Sequence, residues 1–86
     1  MLTIGGLIVF EKVKRVLLEY AKVNEDEITA ESVLMTDLGL NSFEIIEMIV
    51  RFEDEFNTEI PDRDLPLFVK VGDVVEYIEK KLEVIL

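Results

Sequence analysis

An all-α fold, a small four-helix bundle of three long helices and a short third one, is what the sequence predicts. Two observations carry it. Apolar residues recur at the three-to-four-residue spacing of a helix face in three separate stretches, and no stretch shows the alternation of a half-buried strand. The 86-residue length adds that residues 1–86 form a single domain, with the packed part at about 8–83.

The first helix is expected at about residues 8–22, where Val9, Phe10, Val13, Val16, Leu17, Tyr20 and Ala21 recur with charged residues between them. The opening "MLTIGGLIVF" lacks a basic leader and is broken by Gly5 and Gly6, so it reads as a ragged lead-in rather than a targeting signal. Residues 23–41 are polar but carry Ile28, Val33, Leu34, Leu38 and Leu40 at irregular intervals. So long a connection is uncommon in a small domain unless its apolar residues pin it to the core.

The second helix, 42–56, has the sharpest pattern. Ile45, Ile49, Phe52 and Phe56 make one stripe, with Ile46 and Val50 beside it and Glu44, Glu47, Arg51, Asp54 and Glu55 opposite. Pro61 is expected to halt it indirectly, and "PDRDLPLF" suits a short helical turn. A last helix at about 71–83 is built on Val71, Val74, Val75, Ile78 and Leu82, with Lys80 and Lys81 in its final turn, where cations complement the helix dipole.

Composition excludes much. No cysteine and no histidine occur, so disulfides, thiolate metal sites, cysteine nucleophiles and the usual partner of a nucleophilic serine are all missing. A self-contained hydrolase is not expected, and no catalytic residue is assigned. The net charge of -10 argues against nucleic acid and anionic membranes, and points to basic proteins as partners. That acidity is concentrated: residues 24–64 hold 13 acidic and 2 basic side chains. No stretch approaches the roughly 20 apolar residues of a membrane span, so a soluble, cytoplasmic monomer is expected. The apolar ends "MLTIGGLIVF" and "VIL" could pack on the bundle or support association. The acidic "EDEFNTEIPDRD" lacks the ligand spacing of a calcium loop, so no metal site is expected.

Ser42 raises the functional question. As a helix cap it would need Glu or Gln three residues on, where Ile45 stands; counted from Asn41, that position is Glu44. Asn41 is the better cap, and it frees the Ser42 hydroxyl at a helix start, where a phosphate ester would meet unpaired backbone N–H groups. The residues alone leave a plain surface or capping serine open beside an attachment site.

The stretch "DLGLNSFEIIEMIVRFEDEFNTEIPD" closely resembles the acyl carrier protein family, in which Leu-Gly-x-Asp-Ser-Leu precedes a helix ending in an acidic cluster and Phe-x-x-Glu-Ile-Pro. The order of elements agrees over about residues 8–83, including a Val-Gly-Asp start to the last helix at Val71, Gly72 and Asp73. The resemblance implies that Ser42 carries 4'-phosphopantetheine, with Gly39, Leu40 and Asn41 forming its immediate setting. A carrier-protein synthase using coenzyme A and a divalent metal would attach it, which agrees with the absence of an internal base. Phe43, Glu44, Glu47, Arg51, Asp54 and Glu55 would then meet the basic docking patches of that synthase and of acyl-transfer and condensing enzymes. Ile46, Val50, Ile60 and Leu65, with Phe43, flank the region where fatty-acid carriers open a pocket for the acyl chain, although ordinary packing also accounts for such residues.

Several positions depart from the family. Asn41 stands where Asp is usual, Phe43 where Leu is usual, Arg51 brings a positive charge to the acidic face, and Lys70 replaces a common Thr cap, which suggests a less firmly started last helix. A free-standing carrier for fatty-acid or polyketide-type synthesis is the leading reading. A carrier of aminoacyl, D-alanyl or peptidyl groups stands beside it, as does an unmodified acidic helical adaptor. Because the resemblance implies that a carboxylate at this position helps engage the synthase and its metal, Asn41→Asp is expected to raise the rate of phosphopantetheine transfer, followed by intact mass over time. An equal or lower rate would refute that role.

Overall fold

The computed structural model describes residues 4–85, with side chains described for residues 7–82. Three α-helices, α1 (Ile4–Leu17), α2 (Ser42–Phe56) and α3 (Val71–Ile85), are joined by segments that hold two short 3-10 turns, Glu25–Glu27 and Asp62–Leu67. The second 3-10 turn is the short third helix of the bundle. α1 packs against both α3 and α2. Among the described residues no helix is long and apolar enough to cross a membrane.

The core is one cluster. Val9, Val13, Val16 and Leu17 come from α1, Met48, Ile49, Phe52 and Phe56 from α2, and Val71, Val74, Val75 and Ile78 from α3. Each set follows helical spacing, so burying one face of each helix encloses the cluster. Ile28, Leu34, Leu38 and Leu40 of the long connection are buried with it, which pins a segment of little regular structure. On α2 the buried stripe takes in Met48, whereas Ile46 and Val50, expected beside the stripe, lie on its exposed flank.

α1 begins earlier and ends earlier than its periodicity suggests. The lead-in is helical from Ile4, so the two glycines do not keep it out of the helix. After Leu17 the chain turns, and the Lys22 N–H donates to Leu38 O at 3.0 Å instead of continuing the helical ladder. Tyr20 and Ala21 still pack against the core, which is why the apolar spacing runs past the helix end. Of the opening apolar segment, Val9 is buried in the core and Phe10 packs against it, while Leu7 and Ile8 are exposed; the closing "VIL" lies outside the described side chains.

α2 occupies the span expected of it, but its stop signal is not Pro61. Asn57 takes the left-handed conformation, φ 50° and ψ 52°, and its N–H donates to Glu53 O. Asparagine tolerates that geometry better than most residues, so the helix ends at Phe56, five positions before the proline. Glu53 Oε2 then accepts from Ile60 N at 2.8 Å and ties the exit to the helix.

The long connection is stitched to the start of α3. Val33 and Lys70 form an isolated antiparallel bridge, and Leu34 N donates to Val69 O, Val71 N to Ser32 O and Gly72 N to Ala30 O, each at 2.9 Å. A Cβ at Gly72 would come within 3.0 Å of Ala30 O, so the close approach favours glycine. Ser32 is buried, its Oγ accepting from Thr29 N and donating to Glu27 O. α3 is firmly started despite Lys70, because Asp73 Oδ2 accepts from Val69 N at 3.1 Å and Lys70 N at 2.8 Å. It also runs on to Ile85, which places Lys80 and Lys81 before its last turn; Lys80 pairs with Glu76 and Lys81 lies over the Tyr77 ring.

Phe52 is fully buried at the centre of this cluster. Truncation by Phe52→Ala is expected to cost about 3–5 kcal/mol, read from urea unfolding, a large share of the stability of a domain this size. A loss below about 1 kcal/mol would contradict a core centred on this ring.

Candidate functional site: the N-terminus of α2

Gly39 opens the approach to α2 with φ +73°, a left-handed conformation that favours glycine. Leu40 follows, its side chain buried and its N–H donating to Leu34 O at 3.1 Å. The chain is thereby anchored just before the helix. Asn41 has extended geometry, and its Oδ1 accepts from Glu44 N at 2.8 Å. In return Glu44 Oε1 accepts from Asn41 N at 3.0 Å. This reciprocal capping box makes Asn41 the cap and leaves Ser42 as the first helical residue.

Ser42 is exposed, and its hydroxyl is not used in the cap. It borders an open, mainly apolar groove of about 480 Å³. Val33, Met35 and Thr36 of the long connection form one side, Ile45 and Ile46 of α2 another, and Leu65, Pro66, Phe68 and Val69 close it. Of the four residues expected to flank an acyl chain, Ile46 and Leu65 line this groove. Val50 and Ile60 do not line it: Val50 is 57% exposed on α2, and Ile60 is buried in the core. Met35 and Val69 of this lining are themselves exposed apolar residues.

The wall made by the second 3-10 turn is fastened to α3. Tyr77 Oη donates to Asp64 Oδ2 at 2.5 Å, and the Phe68 and Tyr77 rings meet edge to face at 5.1 Å between centroids. Burial, reinforced by the bond to Asp64, pushes the Tyr77 hydroxyl up to about 12. It stays protonated, and so remains a donor, throughout the physiological range.

The charged face of α2 divides. Glu47, Asp54 and Glu55 are exposed, and no ion pair involves them among the described residues. Arg51 is not a free cation on that face: its guanidinium makes a forked pair with the Glu19 carboxylate, at 2.8 and 2.7 Å. That bond holds the Glu19 carboxyl below the usual range and raises the Arg51 guanidinium further. Glu44 is half-buried and faces Lys22, whose Nζ lies 3.4 Å from Oε1. Phe43, 70% exposed, stands beside Ser42 as an uncovered aromatic contact.

A family model described as the phosphopantetheine attachment site matches residues 11–78. An acyl carrier protein of Clostridium perfringens is 49% identical over 74 residues, covering 86% of this chain and 97% of that protein. The chain belongs to the acyl carrier protein family. An acyl carrier protein of Thermotoga maritima is 42% identical over 74 residues, 86% of this chain and 91% of its own length. One of Campylobacter lari is 42% identical over 71 residues, 83% and 92% of the two chains. The prosthetic group of the family is 4'-phosphopantetheine. The site at the start of α2 fits such a group: an exposed hydroxyl, a helix N-terminus for the phosphate, and an apolar groove alongside.

Glu44 connects this geometry to pH. Its carboxyl is held below the ordinary 4.5 first by the Asn41 N–H and then by Lys22. A lowered folded value means that its contribution is fully present above the unfolded value and lost as pH falls through the folded one. The thermal stability advantage of the wild type over Glu44→Gln is therefore expected to be constant near neutral pH and to vanish on acidification below 4.5. An advantage that persisted at pH ~2, where both folded and unfolded carboxyls are protonated, would show that the carboxylate charge is not what matters.

Proposed function

We propose that Ser42 is the phosphopantetheine attachment point of a free-standing carrier that takes acyl groups to the enzymes of fatty-acid or polyketide-type synthesis. The observation that carries the reading is the division of labour at the start of α2. Asn41 satisfies the cap, so Ser42 offers an uncommitted hydroxyl at the mouth of an apolar groove.

Attachment joins the serine oxygen to the phosphorus nearer the pantetheine of coenzyme A, and the nucleotide half leaves as its phosphate. The hydroxyl proton passes to a base of the synthase, since this chain has neither histidine nor cysteine to supply one. The chain is thus a substrate of its partners rather than a catalyst. Once bound, the group supplies a terminal thiol that holds acyl chains as thioesters. The exposed backbone N–H end of α2 suits the negative phosphodiester.

Glu47, Asp54 and Glu55 support docking by basic patches, because their carboxylates are exposed and free of ion pairs among the described residues. Phe43 gives such an interface an apolar centre. Ile46 and Leu65, which line the groove together with Met35 and Val69, offer an acyl chain somewhere to lie. The identity of the relatives, all named acyl carrier proteins, favours acyl cargo over aminoacyl cargo.

Incubation with coenzyme A, magnesium and a promiscuous carrier-protein synthase is expected to add one phosphopantetheine unit to the intact mass. The gain should disappear in Ser42→Ala while that variant keeps its helical circular dichroism. A folded wild type that gains nothing, or a Ser42→Ala chain that still gains the unit, would overturn the assignment.

A further inference from the structure

Lys22 belongs to no sequence pattern and follows the end of α1, yet it reaches both sides of the Ser42 loop. Its backbone N–H donates to Leu38 O at 3.0 Å. Its Nζ donates to Gly39 O at 3.2 Å and lies 3.4 and 3.5 Å from the two Glu44 carboxylate oxygens. The aliphatic stem lies beneath Gly39, where a Cβ would come within 3.4 Å of Lys22 Cδ. One side chain thus joins the carbonyl before the cap to the carboxylate that completes the cap.

Glu44 Oε1 is the shared point. It accepts from Asn41 N at 3.0 Å and faces the Lys22 ammonium at 3.4 Å. Gly39 O, Asn41 N and the Glu44 side chain are therefore tied together around Ser42, which itself contributes nothing to the tie. We propose that Lys22 is a positioning residue for the modification of Ser42, holding the segment from Gly39 to Glu44 in the geometry that presents the hydroxyl to the synthase. The proposal rests on Ser42 being the attachment point.

Two roles for Lys22 can be separated. An exposed lysine–carboxylate pair contributes little to global stability, so loss of the ammonium should leave the melting temperature almost unchanged. If Lys22 merely masked the Glu44 charge from a basic partner, its removal would strengthen docking and lower KM. If it positions the loop, its removal misplaces the hydroxyl after docking, and the loss falls on kcat.

The test uses Lys22→Met, which keeps the stem and removes the ammonium, beside Lys22→Arg, which keeps a donor. With coenzyme A, magnesium and a carrier-protein synthase, Lys22→Met is expected to lower kcat about 10-fold with KM changed less than about 2-fold, since small misplacements are costly in rate. Lys22→Arg should recover most of that loss. In the unmodified proteins, amide hydrogen exchange at Leu40 and Asn41 should be faster in Lys22→Met than in the wild type and restored in Lys22→Arg. Unchanged kcat, a change confined to KM, failure of arginine to rescue, or unaltered exchange would each overturn the positioning role. A wild type that gains no phosphopantetheine would instead sink the attachment reading, and the exchange measurement would still decide whether Lys22 holds the loop.

Discussion

The reciprocal bonds between Asn41 and Glu44 govern the rest of the site. A helix start leaves several N–H groups without partners, and some side chain must take them up. Had Ser42 done so, its oxygen would be committed to the backbone. With Asn41 in that role, the helix is closed and the serine hydroxyl takes no part in the cap. The left-handed Gly39 and the buried Leu40 lead the chain directly into that cap.

The groove beside Ser42 exists because three segments distant in sequence converge there. The long connection provides Val33 and Met35, α2 provides Ile45 and Ile46, and the segment before α3 provides Leu65, Phe68 and Val69. Hydrogen bonds between the connection and residues 69–72 hold the first and last of these together. The intervening 3-10 turn is fixed more lightly, through Asp64 to Tyr77 and by the contact of Phe68 with the same ring.

Features decided within a few residues were legible in the sequence. α2 was, in its whole span, because its periodicity and its capping signal are both local, and the freedom of Ser42 followed from the spacing of Asn41 and Glu44. What escaped was decided at long range or by backbone conformation. The segment after α1 is tied by a bond from Lys22 to Leu38, and the neutralisation of Arg51 depends on Glu19, 32 residues earlier. The stop of α2 rests on a left-handed asparagine, and Pro61 drew attention away from it. Val50 and Ile60 resembled groove residues by position along the chain. One is turned to the outer surface of α2 and the other is drawn into the core, a distinction that only three-dimensional packing makes.

The stitching of the long connection to the start of α3 also sets an order of events in folding. Contacts between residues 30–34 and 69–72 close a loop of nearly half the chain, and closure of that kind comes late relative to helix formation. A nascent chain whose α3 has not yet emerged can form α1 and α2 but cannot complete the support behind Leu40. The anchoring that leads into the cap of α2 is therefore a property of the finished molecule and not of the helix alone.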